Sequence, residues 1–275
     1  MRCDITAVTL DKRVGEMNKL FLISGPCVVE NETTPRLIAK EVKSICDALG
    51  IDYIFKASYR KANRTKEDSF TGIGDEKALN IIKNIGLEFG VRTLTDIHES
   101  HEAEMVAQYV DVLQIPAFLC RQTALLHAAG KTGKIVNIKK GQFVSPEAMK
   151  FPVQKVQATG NKNVWLCERG FTFGYEDLIV DVTSIPRLKQ HGVPVVMDCT
   201  HSVQAPNKST GVSGGNPQFI ETMARYAAVT EADGLFIETH PDPKNALSDS
   251  STMLQLYRLN NILERVMLIR NAVHS

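Results

Sequence analysis

The sequence predicts an α/β fold, a closed (β/α)8 TIM barrel with a short N-terminal β-hairpin across its bottom. Three observations predict it. Eight short runs rich in β-branched and apolar residues recur through the 275 residues. Several are apolar throughout instead of alternating, the pattern of a parallel strand buried on both faces. Amphipathic stretches separate consecutive runs, and glycines close them at intervals of 30 to 42 residues. No sequence repeat accompanies that period, so it marks a recurring βα unit and not a solenoid. Eight units in about 255 residues match the size of such a barrel. A doubly wound open sheet would need fewer strands and a glycine-rich turn after the first. Here the first run ends in Ser24-Gly25-Pro26-Cys27.

Taken in order, residues 1–19 are too short for a domain and read as the hairpin, which makes the chain one domain over 1–275. Strands are expected at Leu20–Val29, Asp52–Ser58, Val91–Ile97, Val112–Ala117, Lys134–Lys139, Asn163–Glu168, Val193–Met197 and Gly234–Glu238. The first helix opens at Thr34-Pro35, with Ile38, Val42, Ile45, Cys46 and Leu49 on one face. Ser145-Pro146-Glu147 and Asn216-Pro217 pair a capping side chain with a first-turn proline, and His98-Glu99-Ser100-His101 also reads as a capped helix start. Gly50, Gly90, Gly130, Gly160, Gly192 and Gly234 stand where left-handed C-caps belong. A last amphipathic helix is expected from Ser251 to Ile269, and Trp165, mid-strand, is expected in the core.

Composition narrows the function classes. Lys plus Arg is 32 and Asp plus Glu 31, a net of +1, so no global field favours nucleic acid or an anionic membrane. No apolar run approaches the roughly 18 residues that span a bilayer. Asp4 follows Met1-Arg2-Cys3 where a signal peptide would want bases and an apolar stretch. The six cysteines are dilute and form no close pair, which fits reduced thiols and a cytoplasmic protein.

The chemistry of this fold sits at the C-terminal strand ends. In order, those ends carry Cys27; Lys56 and Ser58; Asp96; Gln114; Lys139; Glu168 and Arg169; Asp198 and His201; and Glu238 and His240. Burying so many charges costs several kcal/mol each unless they are paired or ligated. Lys56, Lys61, Arg64, Arg121, Lys139 and Arg169 form a cationic subset suited to phosphates or carboxylates. Arg60, Lys61, Arg64 and Lys66 also fit a plain solvated charge run. Cys27, His201 and Glu238, with Asp242 or Asp249, offer thiolate, imidazole and carboxylate donors for Zn, Fe or Mn. Spacing alone leaves open that Cys27 is a small buried residue. Gly211-Val212-Ser213-Gly214-Gly215 matches a nucleophile-elbow string, but no strand precedes it and it reads as a flexible lid. Gly72-Ile73-Gly74 lacks the strand and third glycine of a dinucleotide site.

Strings at all eight strand ends resemble one family over residues 20 to 270. They are Ser24-Gly25-Pro26-Cys27, Phe55-Lys56-Ala57-Ser58, Lys61-Ala62-Asn63-Arg64, Thr95-Asp96-Ile97-His98-Glu99 and Leu113-Gln114-Ile115-Pro116-Ala117-Phe118-Leu119. Asn137-Ile138-Lys139-Lys140-Gly141-Gln142, Cys167-Glu168-Arg169-Gly170, Asp198-Cys199-Thr200-His201-Ser202 and Glu238-Thr239-His240-Pro241-Asp242-Pro243 complete the set. The chain resembles the 3-deoxy-D-manno-octulosonate 8-phosphate synthases. The related heptulosonate 7-phosphate synthases carry a Lys-Pro-Arg-Thr motif where this chain has Lys61-Ala62-Asn63-Arg64.

The resemblance implies condensation of phosphoenolpyruvate with D-arabinose 5-phosphate and water, releasing phosphate and supplying octulosonate for lipopolysaccharide. It implies a phosphoenolpyruvate site at Lys56, Ser58, Lys61, Asp96, Gln114, Lys139 and Arg169 with the Ala117 backbone. Asn63, Arg64 and Thr65 are implied for the sugar phosphate, and Lys61, Lys139, His201 and Cys27 as the catalytic set. Cys27, where metal-independent members have Asn, implies the metal-dependent class with ligands Cys27, His201, Glu238 and Asp249. No nucleotide or pyridoxal phosphate is implied, and the assembly implied is a homotetramer. Tyr59-Arg60 departs from the family's Phe-Asp and is expected to add a cation beside the site. Two rivals remain. One is a Schiff-base aldolase using Lys56 or Lys139, and the other a sugar-phosphate sensor on a retained barrel.

Overall fold

The computed structural model describes residues 19–62, 69–175, 177–206 and 214–274. Eight parallel strands close on themselves. They are β1 (Phe21–Gly25), β2 (Asp52–Lys56), β3 (Arg92–Asp96), β4 (Val112–Ile115), β5 (Ile135–Lys139), β6 (Val164–Glu168), β7 (Val195–Asp198) and β8 (Gly234–His240). Each pairs with the next, and Phe21–Gly25 of β1 pairs with Gly234–Glu238 of β8 to shut the ring. All eight overlap their predicted runs; β7 and β8 extend one and two residues further.

Each strand feeds a helix: α1 (Thr33–Leu49), α2 (Asp75–Phe89), α3 (Glu102–Val106), α4 (Thr123–Lys131), α5 (Lys150–Gln157), α6 (Ser184–Lys189), α7 (Ile220–Val229) and α8 (Leu259–His274). The α1 cap comes earlier than expected, because Asn31 Oδ1 accepts from the amides of Thr33 and Thr34 at 3.0 and 2.8 Å. Gly50, Gly90, Gly160 and Gly192 have the left-handed conformation expected of them.

Two cap assignments are corrected. Gly130 lies inside α4, where a Cβ would sit 2.5 Å from Thr159 Oγ1; Gly133 takes the left-handed position instead. Gly234 is the first residue of β8, and a Cβ there would strike the Phe21 ring at 2.3 Å. Both glycines are required for close packing. The last helix also begins later than Ser251. Leu254–Gln255 first pairs alongside Thr239–His240 of β8, and a 3-10 turn over Leu256–Arg258 precedes α8.

Both faces of the barrel wall are buried, as the apolar runs require. Leu22, Phe55, Leu113, Ile138, Leu166, Val195 and Ile237 pack outward in the main core. Ile23, Ile54, Leu94, Val112, Cys167, Val196 and Phe236 fill the interior, and Phe21 and Trp165 stack below them with ring centroids 4.7 Å apart. The interior positions recur every second residue. One step further up the same faces the apolar fill gives way to Lys56, Asp96, Gln114, Lys139, Asp198 and Glu238, all buried. The strands thus carry an apolar plug below and a charged floor above. The expected hairpin at 1–19 lies outside the described residues except for Lys19. No described helix is long and apolar enough to cross a membrane.

Candidate active site

At the end of β1 the chain passes so close to β2 that a Cβ on Gly25 would sit 1.9 Å from the Lys56 carbonyl oxygen. Only glycine fits, and the approach delivers Cys27 to the barrel axis. Its Sγ donates to Asp249 Oδ2 at 2.9 Å and to Ser248 Oγ at 3.1 Å, across more than 220 residues of sequence. Glu238 is the last charged inward residue of β8; its Oε1 accepts from Lys56 Nζ at 2.5 Å, while Oε2 is buried with no hydrogen-bond partner. Donor atoms of Cys27, Glu238 and Asp249 all lie within 4.8 Å of one another. Burial, then Asp249 and Glu238, push the Cys27 thiol well up. Burial would raise Asp249, but Lys61 and His201 outweigh it and hold that carboxyl at about 2.

His201 stands at the edge of this trio. Its Nδ1 lies 2.9 Å from Asp198 Oδ2, and its Nε2 lies 3.9 Å from Glu238 Oε1. Asp198 and Lys139, whose Nζ lies 3.3 Å from Nδ1, hold the ring so that Nε2 is turned toward Glu238. Cys, Glu, Asp and His donors with one orphaned carboxylate oxygen fit a divalent cation of intermediate softness. The trio alone is gathered tightly; His201 is close to it but not within it.

The cations are paired, which the sequence does not show. Lys56 faces Glu238, Lys139 donates to Asp198 at 2.8 Å, and Lys61 lies 4.0 Å from Asp249. Charges this deep need partners, so the floor is built from both signs. Burial would lower the Lys139 pKa, but Asp198 prevails and raises it. Lys139 Nζ also sits 4.0 Å from the Phe236 ring centroid. Arg169 donates through Nη2 to the His201 carbonyl at 2.9 Å and to Gln204 Oε1 at 3.2 Å, while its Nε is buried without a partner.

A relay of neutral donors braces the other side. Asn137 Nδ2 donates to Gln114 Oε1 at 2.9 Å, Gln114 Nε2 to Asp96 Oδ1 at 2.5 Å, and Ser58 Oγ to Asp96 Oδ2 at 2.6 Å. Burial works against ionisation of Asp96, but Lys56, Lys61 and Lys139 outweigh it and hold its pKa well below the ordinary range. Above this floor opens a cavity of about 640 Å³, lined by Lys56, Lys61, Asp96, Gln114, Ala117, Lys139, Arg169, His201, Glu238 and Asp249 among others.

A family model described as the DAHP synthetase I family matches residues 4–273. The chain belongs to the DAHP synthetase I family. Among its relatives, a Koribacter versatilis protein is 49% identical over 258 residues, covering 93% of this chain and 92% of its own. A Cyanothece protein is 47% identical over 266 residues, 97% of each chain. One from Bartonella henselae is 48% identical over 246 residues, 90% of this chain and 88% of its own. All three are named 2-dehydro-3-deoxyphosphooctonate aldolase.

Within this family member, ten of the residues expected at the site from sequence line one cavity, and Ser58 and Cys27 lie just beneath, through their bonds to Asp96 and Asp249. Asn63, Arg64 and Thr65 lie outside the described residues, as do Gly211, Val212 and Ser213 of the expected lid. Arg121 is exposed and is not among the cavity-lining residues. Arg60 also departs from expectation. It adds no cation to the mouth, because its guanidinium is taken by Glu102 and Asp75. His98, Gln142, Gln204 and Ser248 also line the cavity, beyond the residues the sequence singles out. His98 and Gln142 lie inside the strand-end strings and were legible there; Gln204 and Ser248 sit in connections with no local signal.

Proposed function

We propose that this chain condenses phosphoenolpyruvate with D-arabinose 5-phosphate and water, giving 3-deoxy-D-manno-octulosonate 8-phosphate and phosphate. The observation that carries the reading is a single cavity where Lys56, Lys61, Lys139 and Arg169 converge beside a Cys-Glu-Asp donor trio. The name shared by the relatives supports the same product class.

In this reading Lys61, Lys139 and Arg169 hold the phosphate and carboxylate of phosphoenolpyruvate, with Lys56, Ser58, Asp96, Gln114 and the Ala117 backbone shaping the pocket. Asn63, Arg64 and Thr65 take the sugar phosphate. Fixing two anions side by side offsets their repulsion and replaces a bimolecular encounter by a local one. Arg169 lines the cavity, and its Nη2 anchors the fork to the chain through the His201 carbonyl. Cys27, His201, Glu238 and Asp249 would hold a divalent Zn, Fe or Mn ion. When bound, such an ion supplies Lewis acidity toward a carbonyl or a water. Lys56 and Lys61 face carboxylates of that same donor set, so its occupancy and the charge they present to substrate are linked. The working unit in this reading is a cytoplasmic homotetramer of single-domain barrels.

The Schiff-base alternative needs a neutral amine. Asp198 instead stabilises the charged form of Lys139, and Lys56 is buried against Glu238 at 2.5 Å. Phosphate release should require both phosphoenolpyruvate and arabinose 5-phosphate, stop with chelator and return on metal add-back. A preference for erythrose 4-phosphate would move the chain to heptulosonate synthesis, and a borohydride-trapped adduct would overturn the reading.

A further inference from the structure

The connection between β2 and α2 brings Lys61 to the cavity, and Arg60 immediately precedes it. Arg60 is not among the residues that line the cavity. Its Nη2 donates to Glu102 Oε1, its Nη1 donates to Asp75 Oδ2 at 3.1 Å, and its guanidinium lies 5.5 Å from the Tyr59 ring centroid. These carboxylates belong to different elements. Asp75 opens α2, at the far end of the same connection, and Glu102 opens α3. Glu102 is only 2% exposed, and its Oε2 accepts from the His98 amide at 2.7 Å; His98 itself lines the cavity. One guanidinium therefore fastens both ends of the β2–α2 connection to each other and to the turn after β3.

The backbone at this point is drawn equally close. Lys61 N–H donates to the Thr71 carbonyl at 2.8 Å, and a Cβ on Gly72 would lie 3.1 Å from the Tyr59 carbonyl oxygen. Among the described residues, the ion pair of Lys61 Nζ is a long one, 4.0 Å to Asp249. Its place in the mouth thus depends on where the backbone sets its Cα. We propose that Arg60 is a positioning residue that holds Lys61 at the phosphate-binding mouth by joining Asp75 and Glu102. The inference rests on the reading of Lys61 as a phosphoenolpyruvate ligand. A planar fork with several donors can serve two carboxylates on separate elements at once, whereas the ammonium of lysine serves them poorly.

Steady-state kinetics on Arg60→Met, Arg60→Lys and Asp75→Asn tests the proposal, with thermal melting as a check on folding. Lys61 would meet its anion equally in the ground and transition states, so Arg60→Met should raise KM for phosphoenolpyruvate about tenfold and leave kcat within about threefold. Arg60→Lys should fall between wild type and Arg60→Met. Asp75 is partly exposed and near-isosteric with Asn, so Asp75→Asn is the milder variant, and it should shift KM in the same direction by less. Unchanged KM in both Arg60→Met and Asp75→Asn, or a loss confined to kcat, overturns the proposal. If wild type releases no phosphate from the two substrates, the functional reading fails instead. The tie is then read from trypsin cleavage after Lys61, which should be faster in Arg60→Met and Asp75→Asn than in wild type; equal cleavage rates overturn it.

Discussion

Cys27 and Glu102 show how burial gives single residues opposite fates. Burial and two neighbouring carboxylates hold the Cys27 thiol protonated in the absence of a cation. A bound divalent ion would reverse that balance, because a ligating thiol gives up its proton. Cys27→Ala should therefore lose bound metal along with metal-dependent turnover. Elemental analysis of the purified variant checks this separately from activity, and full metal content would remove Cys27 from the ligand set. For Glu102, burial raises the pKa, but His98, with its amide donating at 2.7 Å and its ring Nδ1 3.5 Å away, outweighs it and lowers the value from 4.5 to about 2. A depressed carboxyl stabilises the fold above its unfolded pKa and loses that contribution as pH falls through the folded value. The contribution is about 3 kcal/mol at neutral pH, fading between pH 4.5 and about 2. Denaturant unfolding of Glu102→Gln should show its deficit at pH 7 shrinking across that window. A deficit independent of pH would contradict the assignment.

Among the elements, β1 and β2 set the tightest tolerance. Gly25 lets the β1 backbone pass the Lys56 carbonyl, and no rotamer can relieve a Cβ that meets a backbone atom. Gly25→Ala should cost about 3 kcal/mol or more, since overpacking against fixed atoms forces the strands apart. Such a shift would displace Cys27 and Lys56 together, so resistance to denaturant and metal binding should fall in parallel. Gly234 meets the Phe21 ring instead, and ring movement can absorb part of that clash. Gly234→Ala is thus expected to be milder than Gly25→Ala in the same denaturant series. The reverse order would show that the β1–β2 approach is not the limiting one. The β2–α2 connection is held by side chains as well as backbone, through Arg60 and the Lys61–Thr71 hydrogen bond.

For the whole molecule, the donor set unites the two ends of the barrel sequence. Cys27 follows β1, while Glu238 and Asp249 lie on and beyond β8, so a cation bound among them would cross-link the strands that close the ring. A ligand that binds only the folded state stabilises it by about 2.7 kcal/mol when present at 100 times its Kd. A protein of this size shifts its Tm by about 2–4 °C per kcal/mol, so chelation should lower the Tm of metal-loaded protein by about 5 °C or more. Cys27→Ala should show no such drop. A chelator-insensitive Tm in a wild-type sample with verified metal content would show that the ion does not tie the ring together.

Much of this was legible in the chain itself. Strands buried on both faces leave unbroken apolar runs, and their C-terminal ends place Lys56, Asp96, Gln114, Lys139, Asp198 and Glu238 at one level of the barrel. Local chemistry suffices there, because a two-residue period and a parallel ring dictate the direction of each side chain. Three-dimensional packing decided the rest. Gly130 and Gly234 look like helix caps in sequence, yet their lack of a Cβ is used by Thr159 and Phe21, residues remote in the chain. The three lysines of the expected cation cluster are each set against a carboxylate, and Arg60 is taken by Glu102 and Asp75 instead of facing the mouth. Sequence determined which groups reach the end of each strand. Only tertiary structure decided which opposite charge each one faces, because the partners come from other strands and a buried charge is stable only where such a partner is in place.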